Sequence, residues 1–511
     1  MTMKHTLTTI TACFLLATSF AQVKPASLFS DNMVLQRETY VPVWGTASEG
    51  ESVSVEFEGQ KLTTTAKEGK WKVSLKPLKA GGPFIMTIKG NNTVTIKNIL
   101  VGEVWLCSGQ SNMERAMIYD TSGKEAVANS ANDMLRLITI PHNSKDTPQT
   151  EVPCKWVASS PATTLRFSAT AYWFGSKLQK ELGLPVGIVN SSYGGTPIEA
   201  WISEKTLMDL GLPKDNNNDP KLARAEYERR KEKMKPIMDK YNADKEAAKQ
   251  QHLPAPPAPA GIVGDYRGPN VLYNGMIAPL IPFVVKGMVW YQGENNSYVG
   301  RANTYYQLLP ALIKEWRSEW GEGNIPFFVV QLCPNRKKTT DPTLPSGIAT
   351  VSDAQRSALS EPNTALLVTT DLVEPDGDVH YKRKEPLGAR LVLAADALAY
   401  GKKIEYSGPL YKSVEFKGNK AILSFTHIGG GLVAKDTALT GFTIAGEDKK
   451  FYLGNATIEG DKVVVTSPNV ANPKSVRYGW ADHPWPDLNF WNKAGLPAAV
   501  FRTDNWELPS K

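Results

Sequence analysis

Four short segments hold the residue types that acyl transfer requires. They are Gly109-Gln110-Ser111-Asn112-Met113, Asn190-Ser191-Ser192-Tyr193-Gly194-Gly195-Thr196, Trp290-Tyr291-Gln292-Gly293-Glu294-Asn295-Asn296 and Asp376-Gly377-Asp378-Val379-His380. Cleaving an ester takes a nucleophile, a base, an acid that orients the base, and donors for the oxyanion. Ser111 is the candidate nucleophile, because it follows a strongly apolar run, Ile99 to Cys107, that reads as a buried strand. A hydroxyl there stands at the carboxyl edge of a sheet, where open α/β sheets build their sites. The base is sought among the five histidines beyond the first 21 residues. His142 lies in a loop-like Pro-His-Asn and His252 beside a linker, so both read as surface residues, while His427 and His483 fall in a late β region. His380 alone follows a core strand and precedes a helix, Leu387 to Ala399. A carboxylate two residues earlier can reach its Nδ1–H and fix the tautomer, which selects Asp378 with Asp376 in reserve. The glycines at 194 and 195 let the backbone approach a ligand. A Gln or Asn amide of the third segment can serve an oxyanion, and Glu294 reads as a brace for that loop.

These segments need a scaffold, and the patterning supplies one. Residues 22–98 alternate with period two in Val53-Ser54-Val55-Glu56-Phe57 and Trp71-Lys72-Val73-Ser74-Leu75, which predicts a small antiparallel β domain. From 99 to 400 strands alternate with helices. Ser168 caps a helix that Gly183 stops, Val186 to Val189 and Lys286 to Tyr291 are strands, and a helix spans Tyr305 to Trp320. Pro326 to Leu332 and Ala365 to Thr370 are two more strands. The alternation predicts an α/β fold, a largely parallel sheet covered by helices on both faces. A charged insertion at about 204–260 contains a helix, Lys221 to Gln251, that Pro236 should break or kink, and then a stiff linker, Pro254 to Pro259. It reads as a solvated surface insertion in preference to a lid. Residues 401–511 turn β again, and their tail carries Trp480, Trp485, Trp491 and Trp506, placed either along the active-site cleft or in a core.

Bulk composition narrows the classes. With 511 residues, 41% hydrophobic and 21% charged, the chain has material for two or three domains. A net charge of +7 over that length, with no basic run interleaved with aromatics, gives no ground for a nucleic-acid partner. Lys4 and His5, then an apolar stretch from Leu7 to Phe20 and Ser19-Phe20-Ala21, predict a signal peptide over 1–21 and a periplasmic or extracellular protein. No later segment is apolar enough to span a bilayer. Cys107, Cys154 and Cys333 remain, an odd number whose spacing suits neither a disulfide framework nor a zinc site.

The four segments resemble the four blocks of SGNH-type hydrolases, and longer runs resemble the sialate O-acetylesterase family. Those runs include Met33-Val34-Leu35-Gln36-Arg37, Val101-Gly102-Glu103-Val104-Trp105, Gly194-Gly195-Thr196-Pro197-Ile198-Glu199-Ala200-Trp201, Leu272-Tyr273-Asn274-Gly275-Met276 and Arg477-Tyr478-Gly479-Trp480. The resemblance implies an SGNH-like three-layer α/β/α core and a serine carboxylesterase that removes O-acetyl groups from sugars with no metal or organic cofactor. It assigns Ser111 as nucleophile, His380 as base and Asp378 as orienting acid. Ser111, Gly194 and Gln292 become the oxyanion donors, with Asn295 the alternative to Gln292. The chain departs from the wider superfamily in spacing acid and base as Asp-x-His, and in having Gln292-Gly293-Glu294-Asn295 where Gly-x-Asn is usual. Met113 closes a G-x-S-x-M turn in place of the lipase G-x-S-x-G elbow. Sialate esters are the expected substrate, acetyl xylan or another polysaccharide the runner-up. A carbohydrate-binding protein with an inactive core is the alternative of another class.

Overall fold

The computed structural model describes residues 22–251, 253–257, 265–435 and 438–509. The expected signal peptide and His252 lie outside the described residues.

Six parallel strands form the centre of the catalytic sheet, which Val157–Ser159 extends with an antiparallel edge beside β2: β1 (Thr93–Gly109), β2 (Asn132–Thr139), β3 (Val186–Ser192), β4 (Gly287–Tyr291), β5 (Phe327–Val330) and β6 (Thr364–Leu367). They lie in the order β2-β3-β1-β4-β5-β6, every neighbouring pair parallel. Among the helices that accompany them are α1 (Ser111–Glu114), α2 (Ala169–Leu182), α3 (Pro220–Gln250), α4 (Tyr305–Trp320), α5 (Gly347–Ser357) and α6 (Glu385–Leu398). Alternate strand residues face alternate layers. Val104, Leu106, Met288, Trp290 and Val329 pack with α4 and α5, while Trp105, Cys107, Val289, Tyr291 and Phe328 pack with α2 and α6. Continuous apolar runs were required because both faces are buried. The three-layer α/β/α expectation holds.

The chain goes from β1 outward to β2, returns to β3 beside β1, then crosses to β4 on the other flank. The topological switch point therefore lies at the carboxyl end of β1, where a crevice opens between diverging connections. Ser111 is there. Local signals acted as expected at α2, where Ser168 Oγ accepts the Ala171 N–H and Gly183 ends the helix with φ +64°.

Two features differ from the sequence reading. The boundary at 98/99 falls inside β1, a single 17-residue strand. Its first half pairs with Gly81–Lys89 of the N-terminal domain and its second half with the catalytic sheet, so Val53, Val55 and Ile88 share one core with α4. The helix α3 also runs unbroken through Pro236, and none of its residues is buried. An exposed helix loses only one backbone hydrogen bond to the proline, and pairs such as Lys235–Asp239 and Lys240–Asp244 line its flanks.

The C-terminal residues build two four-stranded sheets around Phe425, Phe442, Tyr478, Phe490 and Phe501. Their tail returns to the catalytic domain. Asp482 accepts from Arg336 Nη1 at 2.7 Å and Ser346 Oγ at 2.7 Å, and Trp480 packs against Ala349 of α5. Arg336 in turn donates its backbone N–H to Gly377, on the loop that carries His380. Cys107, Cys154 and Cys333 are free thiols. Among the described residues no helix is long and apolar enough to cross a membrane.

Candidate active site

Gly109 ends β1 at φ +138°, and a Cβ there would lie 2.0 Å from the Tyr291 carbonyl oxygen of β4. Only glycine permits this approach. Gln110 then donates its N–H to the same carbonyl at 2.9 Å, and its own carbonyl accepts from Met113 and Glu114 as α1 begins. The earliest N–H groups of any helix have no intrahelical acceptor, which leaves the Ser111 backbone donor available beside its hydroxyl.

His380 Nε2 lies 2.8 Å from Ser111 Oγ, although 269 residues separate them. Asp378 Oδ1 accepts the His380 backbone N–H at 2.9 Å and stands 3.8 Å from Nδ1. At that distance its influence on the ring is electrostatic, since a hydrogen bond requires about 3.2 Å or less. Asp376 is exposed and spends its carboxylate on the Asp378 N–H at 3.1 Å, shaping the turn instead of reaching the imidazole. Burial lowers the His380 pKa below its ordinary value, the Arg115 and Lys384 cations add to this, and Asp378 opposes it. The ring is thus held neutral, the form a general base needs.

Asn112 secures the histidine loop. Its amide nitrogen donates to the Val379 carbonyl at 2.9 Å and to Glu294 Oε1 at 2.6 Å, and its oxygen accepts from Lys384 Nζ at 2.5 Å. Burial drops Lys384 to about 7 and raises Glu294. Glu294 braces the loop from inside.

The expected oxyanion donors fare differently. Gly194 faces Ser111: its missing Cβ would sit 3.3 Å from Ser111 Cβ. Its N–H donates to Glu114 Oε2 at 2.6 Å, so an acyl oxygen takes that donor only by displacing the carboxylate. Gln292 is fully buried, and its amide nitrogen donates to Gln110 Oε1 at 3.1 Å, Thr196 O at 3.0 Å and Asn296 Oδ1 at 2.8 Å. With both hydrogens spent within the fold, it is a brace, which corrects the reading of Gln292 as a donor to substrate. Asn295 donates one N–H to Gly195 O at 2.8 Å, which leaves its second hydrogen.

Four further residues belong to the site. Gln110 Oε1 accepts from Gln292, Gly293 and Asn295, fastening the nucleophile turn to the third segment. Asn112 and Glu114 complete α1. His142 is exposed, as its sequence context predicts, and it also places Nε2 2.6 Å from Glu114 Oε1 and stacks its ring on Tyr193 at 3.6 Å. Nothing in a Pro-His-Asn loop announces a contact with a residue 28 positions earlier. Among the described residues no three His, Cys, Asp or Glu side chains converge as metal ligands.

A parallel α/β/α sheet with this site at its switch point defines, together with the relatives of the chain, a carboxylic ester hydrolase acting on carbohydrates. A family model described as carbohydrate esterase, sialic acid-specific acetylesterase, matches residues 101–224 and 262–396. The sialate O-acetylesterase of Mus musculus is 32% identical over 439 residues, covering 79% of this chain and 78% of the mouse protein. That of Homo sapiens is 31% identical over 438 residues, covering 79% and 76%. A solved carbohydrate acetylesterase from Xanthomonas citri superposes with a TM-score of 0.80 at 34% identity, covering 95% of this chain and all of that one. The chain belongs to the sialic acid-specific acetylesterase family of carbohydrate esterases.

Proposed function

We propose that this esterase is an exported sialate O-acetylesterase working through an acyl-enzyme on Ser111, with His380 as base and Asp378 as its electrostatic partner. The 2.8 Å contact between Ser111 Oγ and His380 Nε2 carries the reading. His380 takes the hydroxyl proton, and the serine oxygen attacks the acetyl carbonyl. The Ser111 and Gly194 backbone N–H groups hold the oxyanion once Glu114 withdraws, and the spare Asn295 N–H is the third donor. His380 then protonates the departing sugar oxygen, and water repeats the sequence on the acetyl-serine. Export rests on the Lys4-to-Ala21 pattern.

Sialate is favoured by the names of the mouse and human relatives. The Xanthomonas citri protein, matched over nearly the whole chain, is a carbohydrate acetylesterase whose name does not specify sialate, which leaves room for a second reading, an acetylated polysaccharide. Acetate release from 9-O-acetylated sialic acid and from acetylated xylan, measured side by side, separates them. Faster turnover of the sialate is expected; faster turnover of xylan moves the substrate assignment and leaves the mechanism in place.

The pH profile follows from the neutral imidazole. The rate should rise with pH as His380 loses its proton, and the acid limb of kcat/KM should fall below the ordinary histidine value of 6.5. Arg115→Gln removes a cation that opposes protonation and should move the limb upward. Asp378→Asn removes the anion that favours protonation and should move it downward. A limb that ignores both substitutions would assign the titration to another group.

A further inference from the structure

A groove of about 550 Å³ runs from the oxyanion loop outward beneath the first turns of α3. Its volume lies within the ~300–1,000 Å³ of sites that enclose a small ligand. Pro197 and Asn295 line it, and Asn295 is bonded to Gly195 O, so its inner end abuts the loop that presents Gly194 to Ser111. Five cations line it. Four are neutralised by neighbours: Arg224 by Asp146, Arg230 by Glu226, Lys231 by Glu228 and Arg301 by Glu199. Arg267, which is exposed, forms no ion pair among the described residues. Its guanidinium lies against Gly195, where a Cβ would fall 2.9 Å from Nη2. Gly195, at φ +71°, thus leaves the space that lets an unpaired cation sit beside the acyl site.

We propose that this groove is a glycan subsite and that Arg267 pairs there with a carboxylate of the substrate, making it a specificity-determining residue for O-acetylated acidic sugars. The proposal rests on the esterase reading above. A planar guanidinium binds a carboxylate through two parallel N–H···O bonds, a geometry that a neutral sugar cannot return. Arg267 Cζ lies 5.5 Å from the centroid of the Tyr266 ring, which stacks on Tyr193 at 4.5 Å. The carboxylate source is a sialate or a uronate, which carry the same group on different rings. The α3 insertion acquires a role on this account: its first turns wall the groove and neutralise the other cations, so that one charge is left to read the ligand.

The test is a ratio. For wild type, Arg267→Gln and Arg267→Lys, kcat/KM is measured on O-acetylated sialic acid and on its carboxyl methyl ester, then on an acetylated oligogalacturonide and its methyl ester. In wild type the free acid should be preferred in at least one pair, and the pair with the larger preference names the source. In Arg267→Gln that preference should fall about 10- to 100-fold, carried by KM, the loss expected for one charge-assisted pair. Arg267→Lys should restore part of it. A wild type blind to methylation in both pairs, or a Gln variant that loses acid and ester equally, overturns the carboxylate anchor. The esterase reading fails separately, if acetate release survives Ser111→Ala.

Discussion

Ser111→Ala should lower kcat for 4-nitrophenyl acetate by ~10⁴- to 10⁶-fold, with the fold and thermal midpoint retained. The substitution deletes one hydroxyl from a half-buried turn whose backbone bonds, Met113 and Glu114 N–H to Gln110 O, do not involve it. The residual rate should come from the Gly194 and Ser111 N–H groups, which the variant keeps. His380→Gln should cost a comparable factor, because Ser111 Oγ at 2.8 Å then has no base. The double variant should be hardly slower than either single one, since two groups that act as a unit lose their joint contribution once. Additive losses in the double variant would show that the 2.8 Å contact is incidental. A Ser111→Ala protein with wild-type rate would remove the nucleophile assignment altogether.

Gly109→Ala should be severely damaging for a single added methyl. The new Cβ would meet the Tyr291 carbonyl oxygen at 2.0 Å, a backbone atom that cannot swing away as a side chain can. That carbonyl also accepts the Gln110 N–H at 2.9 Å, and Gly109 O accepts from Tyr193, so relief requires parting β1 from β4 or β3 at the switch point. The conformation itself, φ +138°, adds about 1–3 kcal/mol of strain for a residue with a side chain. A destabilisation above ~4 kcal/mol, read by denaturant unfolding or as loss of soluble protein, is expected. A midpoint close to wild type would mean that the strand ends are far more pliant than this close packing implies.

The legibility of this chain depended on how local each signal was. The capped helix from Ser168 to Gly183 was legible because a cap and a left-handed glycine act within one turn of the residues they serve. The helix over Tyr305 to Trp320 was legible for a related reason, its apolar face recurring at helical spacing. Core strands were visible as runs apolar on both faces. The 98/99 boundary was misplaced because β1 changes partners without changing its own pattern: one strand pairs first with a hairpin and then with a parallel sheet. Pro236 signalled a break that a helix with no buried residue had no need to make.

Within the site, Ser111, Gly194, Asp378 and His380 could be nominated because nucleophile, base and glycine loop each follow a strand end, a position that hydropathy marks. Gln292 was misread for an instructive reason. An amide in a polar loop has the same composition whether it faces a ligand or the interior, and only the placement of Gln110, Thr196 and Asn296 around it decides. The same holds for Glu114 on the Gly194 N–H and for His142 behind it. The sequence by itself determined the α/β class and the family, and it nominated Ser111 and His380, since these rest on residue types at fixed spacing along a strand or turn. Tertiary structure alone decided which amides are free, what covers the Gly194 donor, and that Arg267, with no ion pair among the described residues, stands beside it. Those depend on directions and distances between residues tens to hundreds of positions apart, which periodicity does not encode.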